Sequence, residues 1–212
     1  MLNLPPRGCI NVHSSLLPKY RGAAPIHWAI LNGEAETGVT ILYMSSELDA
    51  GDIILQRATP IGPTEDAAAL YSRLAEMGGE LAAEAVAAIQ DGTAGRTPQN
   101  HAAHTLAPML SKSLSPVNWS RSAQEICNQI RGLVPWPAAS TEVLTGEPVK
   151  LWRAQVVEEH THAVPGSILA AGQQGIDIAC GDGKTLRILE LQVPGSRRMA
   201  AADYLRGHPI AR

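Results

Sequence analysis

The chain has 212 residues, 45% of them hydrophobic and 17% charged, which is ordinary for a soluble globular protein and enough to bury a core in one or two domains. A net charge of −3 argues against a general nucleic-acid coat, no apolar run approaches the roughly 20 residues of a membrane span, and "MLNLPPRG" does not read as a signal peptide. Cys9, Cys127 and Cys180 are far apart and odd in number, so neither a disulfide framework nor a zinc site is indicated, and a reducing, cytoplasmic setting fits.

The first half reads as α/β. "GCINVH" is a short apolar strand of the kind buried between parallel neighbours. Pro25 opens a helix, "PIHWAILNG", with Gly33 as its stop. Residues 38–44 and 52–61 are β-branched, strand-like runs joined by "SSELDAG". Residues 64–92 form a long helix with Thr64 as N-cap and Gly92 as stop. Leu70, Leu74, Met77, Leu81, Ala85 and Ile89 recur along it as one buried stripe.

Residues 93–119 have no clear period and are rich in Pro, Ser, Thr and Ala. The interdomain linker is assigned within this stretch, to 108–118, between a first domain at 1–107 and a second at 119–212. Ser122 and Glu125 form a capping box that opens a helix running through Arg131. Beyond Pro137 come five short strands, "AASTEVL", "VKLWRAQVV", "GSILAAG", "GIDIACG" and "KTLRILELQV", separated by Gly-rich turns, a pattern that predicts a small antiparallel barrel. Charge is uneven. Residues 1–111 carry 6 Lys/Arg against 11 Asp/Glu and residues 112–212 carry 11 against 9, which permits a polyanion contact on the second half.

Asn11 and His13 stand two apart, so in a strand they share a face while Ile10 and Val12 face a core. Asp49, in the loop between the two later strands, is the third polar candidate. An Asp beside a His fixes its orientation and favours the imidazolium, and an Asn amide is a neutral donor for a developing oxyanion. There is no G-x-S-x-G elbow and no Cys near the His in sequence. The set therefore has an oxyanion donor and a proton-handling pair but no nucleophile of its own, which suits acyl transfer to a nucleophile on the substrate. Satisfied polar packing at a strand end, and a turn role for Asp49 in Asp-Ala-Gly, account equally for the spacing.

The string from Asn11 through Gly22, "NVHSSLLPKYRG", resembles the N-x-H-x-S-L-L-P-x-x-R-G signature of the folate-dependent formyltransferases. "GVTILYMSSELDAGDIILQ" is similar to that family's second block, its aspartate falling on Asp49. "HTLAPMLSKSLSPVNW", "IRGLVPWPAA" and "VKLWRAQVV" resemble the linker and C-terminal domain of the members that act on methionyl-tRNA. The resemblance implies the C-terminal part of a doubly wound, Rossmann-like catalytic domain followed by a small OB-like barrel that holds the tRNA. It implies formyl transfer from 10-formyltetrahydrofolate, a cosubstrate, to the amino group of initiator methionyl-tRNA in translation initiation, with no metal. Asn11 and protonated His13 would hold the oxyanion, Asp49 would orient His13, and the Ser15-Leu16-Leu17-Pro18 turn would contact the folate. The Leu pair suits a core plug equally well. A monomer with no membrane contact is expected for the complete enzyme.

Lys112, Arg121, Lys150, Arg153, Arg197 and Arg198 are candidate phosphate contacts. Trp136 is expected to pack in a core or corner, and the pairs His101/His104 and His160/His162 to be linker or surface histidines rather than metal ligands. The family's sheet normally has further strands ahead of the N-x-H strand, whereas ten residues precede Asn11 here. A chain lacking the first part of its catalytic domain is expected, binding folate poorly and turning over slowly by itself. The alternatives are another folate-dependent N-formyltransferase, a formyltetrahydrofolate hydrolase module, or a non-catalytic RNA-binding remnant.

Overall fold

A computed structural model describes residues 5–210. The chain divides into two compact units, one running to Ile30 and resuming over Glu34–Met109, the other comprising Leu31–Gly33 and the residues from Leu110 on.

The first unit is built from β1 (Ile10–His13), β2 (Arg21–Gly22), α1 (Pro25–Leu31), β3 (Glu36–Tyr43), β4 (Ile53–Pro60), α2 (Ala67–Asp91) and β5 (Leu106–Ala107). β1, β3 and β4 form a sheet in that order. Both pairings are antiparallel, with His13 opposite Thr40 and Thr40 opposite Gln56. The parallel neighbours expected for the "GCINVH" strand are not among the described residues. Seven-residue α1 is too short to carry the chain back across a sheet face, so β3 enters beside β1 from the opposite end.

One face of the sheet is apolar. Val39, Ile41 and Tyr43 pack with Leu70, Leu74, Leu81 and Ala85 of α2 in a single core. Gly78 lets the helix approach closely: a Cβ there would meet a Val12 methyl at 3.0 Å. α2 begins later than expected. Its N-cap is Asp66, whose side chain accepts from the Ala69 N–H, not Thr64. Glu65 explains the difference, because its carboxylate accepts from the Gly62 N–H and from Arg73, holding 62–65 as a turn ahead of the helix. Gly92 ends the helix in the left-handed region at φ 74°, as expected of a C-terminal glycine.

The second unit contains α3 (Ala123–Gly132), β6 (Ala139–Thr141), β7 (Val149–Val157), β8 (Ile168–Gly172), β9 (Gly175–Ala179), β10 (Thr185–Gln192), β11 (Met199–Ala200) and α4 (Ala201–Gly207). The strands form a six-stranded sheet in the order β6-β7-β10-β9-β8, with β11 on β10. That ladder is open, and no closed barrel is found among the described residues. The apolar face that closure would bury is covered by helices instead: Ile126, Ile130 and Leu133 from α3 and Ala201 and Tyr204 from α4 share a core with Leu151, Ile178 and Leu186. β11 and α4 carry little sequence signal, since the N-cap position is Ala200 and makes no side-chain cap. Trp136 is 50% exposed rather than packed; buried Leu133, Val134, Ala138 and Ala139 on either side take the interior and leave the ring at the tip of the turn.

Candidate active site

Directly opposed residues on neighbouring strands share a face, so the register lines up His13, Thr40 and Gln56 across all three strands. Asn11 lies two residues from His13 on the same side, opposite the apolar layer against α2. This polar face holds the sequence-predicted trio. Asn11 Nδ2 donates to Asp49 Oδ1 at 3.4 Å, and His13 Nδ1 lies 3.6 Å from Asp49 Oδ2. The side chains of His13 and Asp49 are only 6% and 11% exposed.

His13 and Asp49 are each fixed from behind. His13 Nε2 lies 2.9 Å from the Tyr20 carbonyl; a carbonyl only accepts, so Nε2 carries a proton and donates. Nδ1 is then the ring corner turned to Asp49, and 3.6 Å exceeds a hydrogen bond. Asp49 Oδ2 accepts from the Gly22 N–H at 2.9 Å. Gly22 sits at φ 121°, and a Cβ there would come within 2.7 Å of the Ala107 carbonyl, so the Arg21-Gly22 pair admits no side chain at its second position. Asp49 itself is in the left-handed region at φ 48°, a conformation Asp tolerates better than most residues.

The turn after His13 is built as a unit. Leu17-Pro18 is a cis peptide, the Lys19 N–H reaches the Leu16 carbonyl at 3.2 Å, and Ser15 Oγ donates to the Lys19 carbonyl at 2.6 Å. Thr40 Oγ1 donates to the Ser15 carbonyl and accepts from the Leu17 N–H, while Gln56 donates to the Leu17 carbonyl and to Thr40 Oγ1. Ser15 and Leu17 are buried, and Leu16 and Pro18 are half-buried. Of these four, only Leu16 lines the neighbouring cavity of about 270 Å³, with Lys19, Tyr20, Glu34, Glu36 and Thr37. Glu34 is held below the usual carboxylate range, burial opposing and bonds from Tyr20 and Lys19 prevailing.

Residues outside the predicted set also reach this region. Gln99 donates to the carbonyls of Asp49 and Gly51 and accepts from Arg21; Thr105 accepts from the Tyr20 N–H. Both belong to the stretch at 93–119 that has no clear period. His101 Nδ1 lies 3.3 Å from an Arg21 nitrogen. Among the described residues, no group of His, Cys, Asp and Glu could hold a metal ion, and no helix is long and apolar enough to cross a membrane.

In the second unit Lys112, Arg121, Lys150, Arg153, Arg197 and Arg198 are all exposed. Arg121 pairs with Glu125, and Arg153 and Arg198 share Glu190. Lys112, Lys150 and Arg197 have no ion-pair partner among the described residues.

Residues 1–86 match the family described as formyl transferase and residues 109–209 its C-terminal domain. The chain is 45% identical over 211 residues to the methionyl-tRNA formyltransferase of Acetivibrio thermocellus, with 99% of this chain and 67% of that one covered. It is 46% identical to that of Trichlorobacter lovleyi, with 100% and 66% covered. It thus spans about two thirds of the length of these curated relatives. A crystal structure of HypX from Aquifex aeolicus in complex with tetrahydrofolic acid is similar with TM-score 0.70 and 28% identity, covering 92% of this chain and 34% of that one. The sugar 3N-formyl transferase WlaRD shares the fold, with TM-score 0.71 at 22% identity over 89% of this chain and 66% of that one.

Proposed function

The chain belongs to the methionyl-tRNA formyltransferase family, and from that membership we propose that Asn11, His13 and Asp49 serve the transfer of a formyl group to the amino group of initiator methionyl-tRNA in translation initiation. The observation that carries this reading is the convergence of an amide N–H, an imidazole Nδ1 and a carboxylate on one face of the first sheet, the imidazole held by the Tyr20 carbonyl and the carboxylate by the Gly22 N–H. 10-Formyltetrahydrofolate supplies, when bound, the formyl carbon that the amine attacks. The donor set fits that group: the Asn11 amide offers an N–H bond to an oxygen gaining negative charge, protonated His13 would offer a second from Nδ1, and losing one such donor typically costs about 3 kcal/mol of barrier.

Nδ1 is the ring nitrogen available for this work, because Nε2 is spent on the Tyr20 carbonyl. Nδ1 and Asp49 Oδ2 lie 3.6 Å apart, close enough for one reacting group beside them to contact both. An α-amine with a pKa of about 8 must lose a proton to attack and another as the new bond forms. The amine nitrogen gains the bond to the formyl carbon and the folate nitrogen gives it up. Asp49 carries the amine's proton toward that leaving nitrogen.

The half-buried side chains of Leu16 and Pro18, within the Ser15–Pro18 turn, are the folate contacts in this reading; Ser15 and Leu17 act by holding the turn. The division into a catalytic part at 1–107, a linker at 108–118 and an OB-like tRNA-binding part at 119–212 belongs to the same proposal. So do phosphate contacts by the six exposed basic residues, a monomeric state and a cytoplasmic setting.

Formylation of methionyl-tRNA with 10-formyltetrahydrofolate, followed on acid gels, tests the reading. A measurable rate that collapses in Asn11→Ala and His13→Ala supports it. RNA binding that persists without formyl transfer, and is indifferent to both substitutions, overturns it.

A further inference from the structure

Gln99 is buried, 6% exposed, and is used at both ends of its amide. Its Nε2 donates to the Asp49 and Gly51 carbonyls, each at 2.8 Å. Its Oε1 accepts from Arg21 Nε at 3.2 Å and Nη2 at 2.6 Å. The orientation is forced, since a guanidinium only donates and a carbonyl only accepts. Arg21 is also buried, and its side-chain partners among the described residues, Gln99 and His101, carry no carboxylate. Burying a guanidinium without an anion is costly, so simple stability does not account for this arrangement. The next residue after Arg21 is Gly22, whose N–H holds the Asp49 carboxylate.

We propose that Gln99, aimed by Arg21, is a positioning residue that sets the Asp49 carboxylate against His13. The inference rests on the role given to Asp49 above. The left-handed backbone at Asp49 must be held against its preference for other conformations. Gln99 holds it by tying the carbonyls on both sides of Ala50 to the strand that supplies the Gly22 N–H. The carboxylate is thereby gripped at its oxygen by Gly22 and at its backbone by Gln99, two contacts that meet on consecutive residues, Arg21 and Gly22.

Gln99→Glu separates positioning from packing. The variant keeps the length of the side chain and gives Arg21 an ionic partner, but sets carboxylate oxygens against two carbonyls. The experiment uses the full ¹⁵N-labelled chain, with the imidazole resonances of His13 assigned by their loss in His13→Ala. Asp49→Asn is expected to move the His13 Nδ1 resonance, and Gln99→Glu to move it in the same direction while far-UV circular dichroism stays unchanged. Gln99→Met, which removes both polar ends, is the second variant if Gln99→Glu does not fold.

His13 resonances at their wild-type positions in the folded Gln99 variant overturn the proposal. An Asp49→Asn spectrum identical to wild type does so too, because Asp49 then has no hold on His13. Loss of fold in both Gln99 variants also overturns it, in favour of a core role. These readouts need no turnover, so a chain that transfers no formyl group sinks the functional reading and leaves this test standing. Where turnover is measurable, Gln99→Glu is expected to lower kcat by about 10–100-fold, the cost typical of groups that orient site residues, with KM little changed. A rise in KM alone contradicts the positioning role.

Discussion

In the first unit buried His13, Ser15, Arg21, Thr40 and Gln99 bond to one another's neighbourhood: the turn after β1, the Asp49 loop and the strand that carries Gly22, while buried Thr59 pairs with Arg73 of α2. In the second unit buried Gln129 and Thr141 tie one structural element to the next, and Asn128 accepts from Gln124 and Arg131 within α3. Gln129 holds the carbonyls of Leu114 and Pro116, and Thr141 accepts from the Trp119 ring. Buried polar side chains cost free energy unless they are hydrogen-bonded. The first unit meets that cost around a carboxylate and an imidazole, the second around its own framework. The contrast separates residues whose loss should cost rate from residues whose loss should cost stability.

Asp49→Asn should show the largest effect. It keeps the shape of the side chain and an oxygen for the Gly22 N–H, but removes the charge beside His13. A loss of about 10²–10⁴-fold in kcat is expected, the range for a proton-handling group, with a stability change under about 1 kcal/mol. Stopped-assay kinetics beside urea unfolding measure both, and a variant that is unfolded yet normal in rate per folded molecule would erase the contrast. Leu151→Ala is its counterpart. Leu151 is fully buried among α3 and β10 side chains, and its truncation should cost about 2–5 kcal/mol. Amide exchange along α3 should accelerate accordingly, and unchanged protection there would show that the second unit does not depend on this packing.

These two regions differ in how far their sequence could be read. Asn11 and His13 fall on one face through the two-residue period of a strand, which needs no knowledge of the fold. The Ser122/Glu125 capping box is local in the same way, and both of its bonds are present. Gln99 is the opposite case. Its partners lie 50 and 78 positions away, in a stretch with no periodicity, so nothing near it in sequence marks it. Asp66 rather than Thr64 caps α2 because the turn ahead of it depends on Arg73, eight residues beyond Glu65 and outside the reach of a local capping pattern. The strand order β6-β7-β10-β9-β8 of the second unit is likewise not readable from the strands themselves, whose alternation is the same in any antiparallel sheet.

Gly51→Ala probes the boundary between the two kinds of residue. A Cβ at Gly51 would lie 1.8 Å from the Tyr43 carbonyl, so the backbone has to move, at a cost of about 1–3 kcal/mol as for other overpacked sites. The same movement carries Asp49, two residues away and bound through the same Gln99 amide. Both stability and kcat should therefore fall, unlike in Asp49→Asn or Leu151→Ala. A crystal structure with the Asp49–His13 distance preserved, together with a normal rate, would show that the loop tolerates displacement.

Ser122→Ala is the smallest of these effects and confined to the second unit. Glu125 is held down to about 2, chiefly by the Ser122 hydroxyl, then by the Ser122 N–H and Arg121. Because its carboxyl is stronger in the folded chain than in the unfolded one, the unfolded chain binds the extra proton first as pH falls. The stabilisation is complete above the ordinary carboxylate range and fades between roughly pH 4.5 and pH 2. About half of the Glu125 side chain is exposed, so solvent screens the ionic part and the cap itself sets the scale. Removing the hydroxyl should cost about 1 kcal/mol at neutral pH. It should also flatten the acid limb of the unfolding curve, because Glu125 then titrates closer to its unfolded value. Thermal melts at pH 7 and pH 3 read both at once: the gap between wild type and Ser122→Ala should be wider at pH 7. An equal gap at the two values would mean that the cap works through hydrogen bonding to the backbone alone, without coupling to the charge on Glu125.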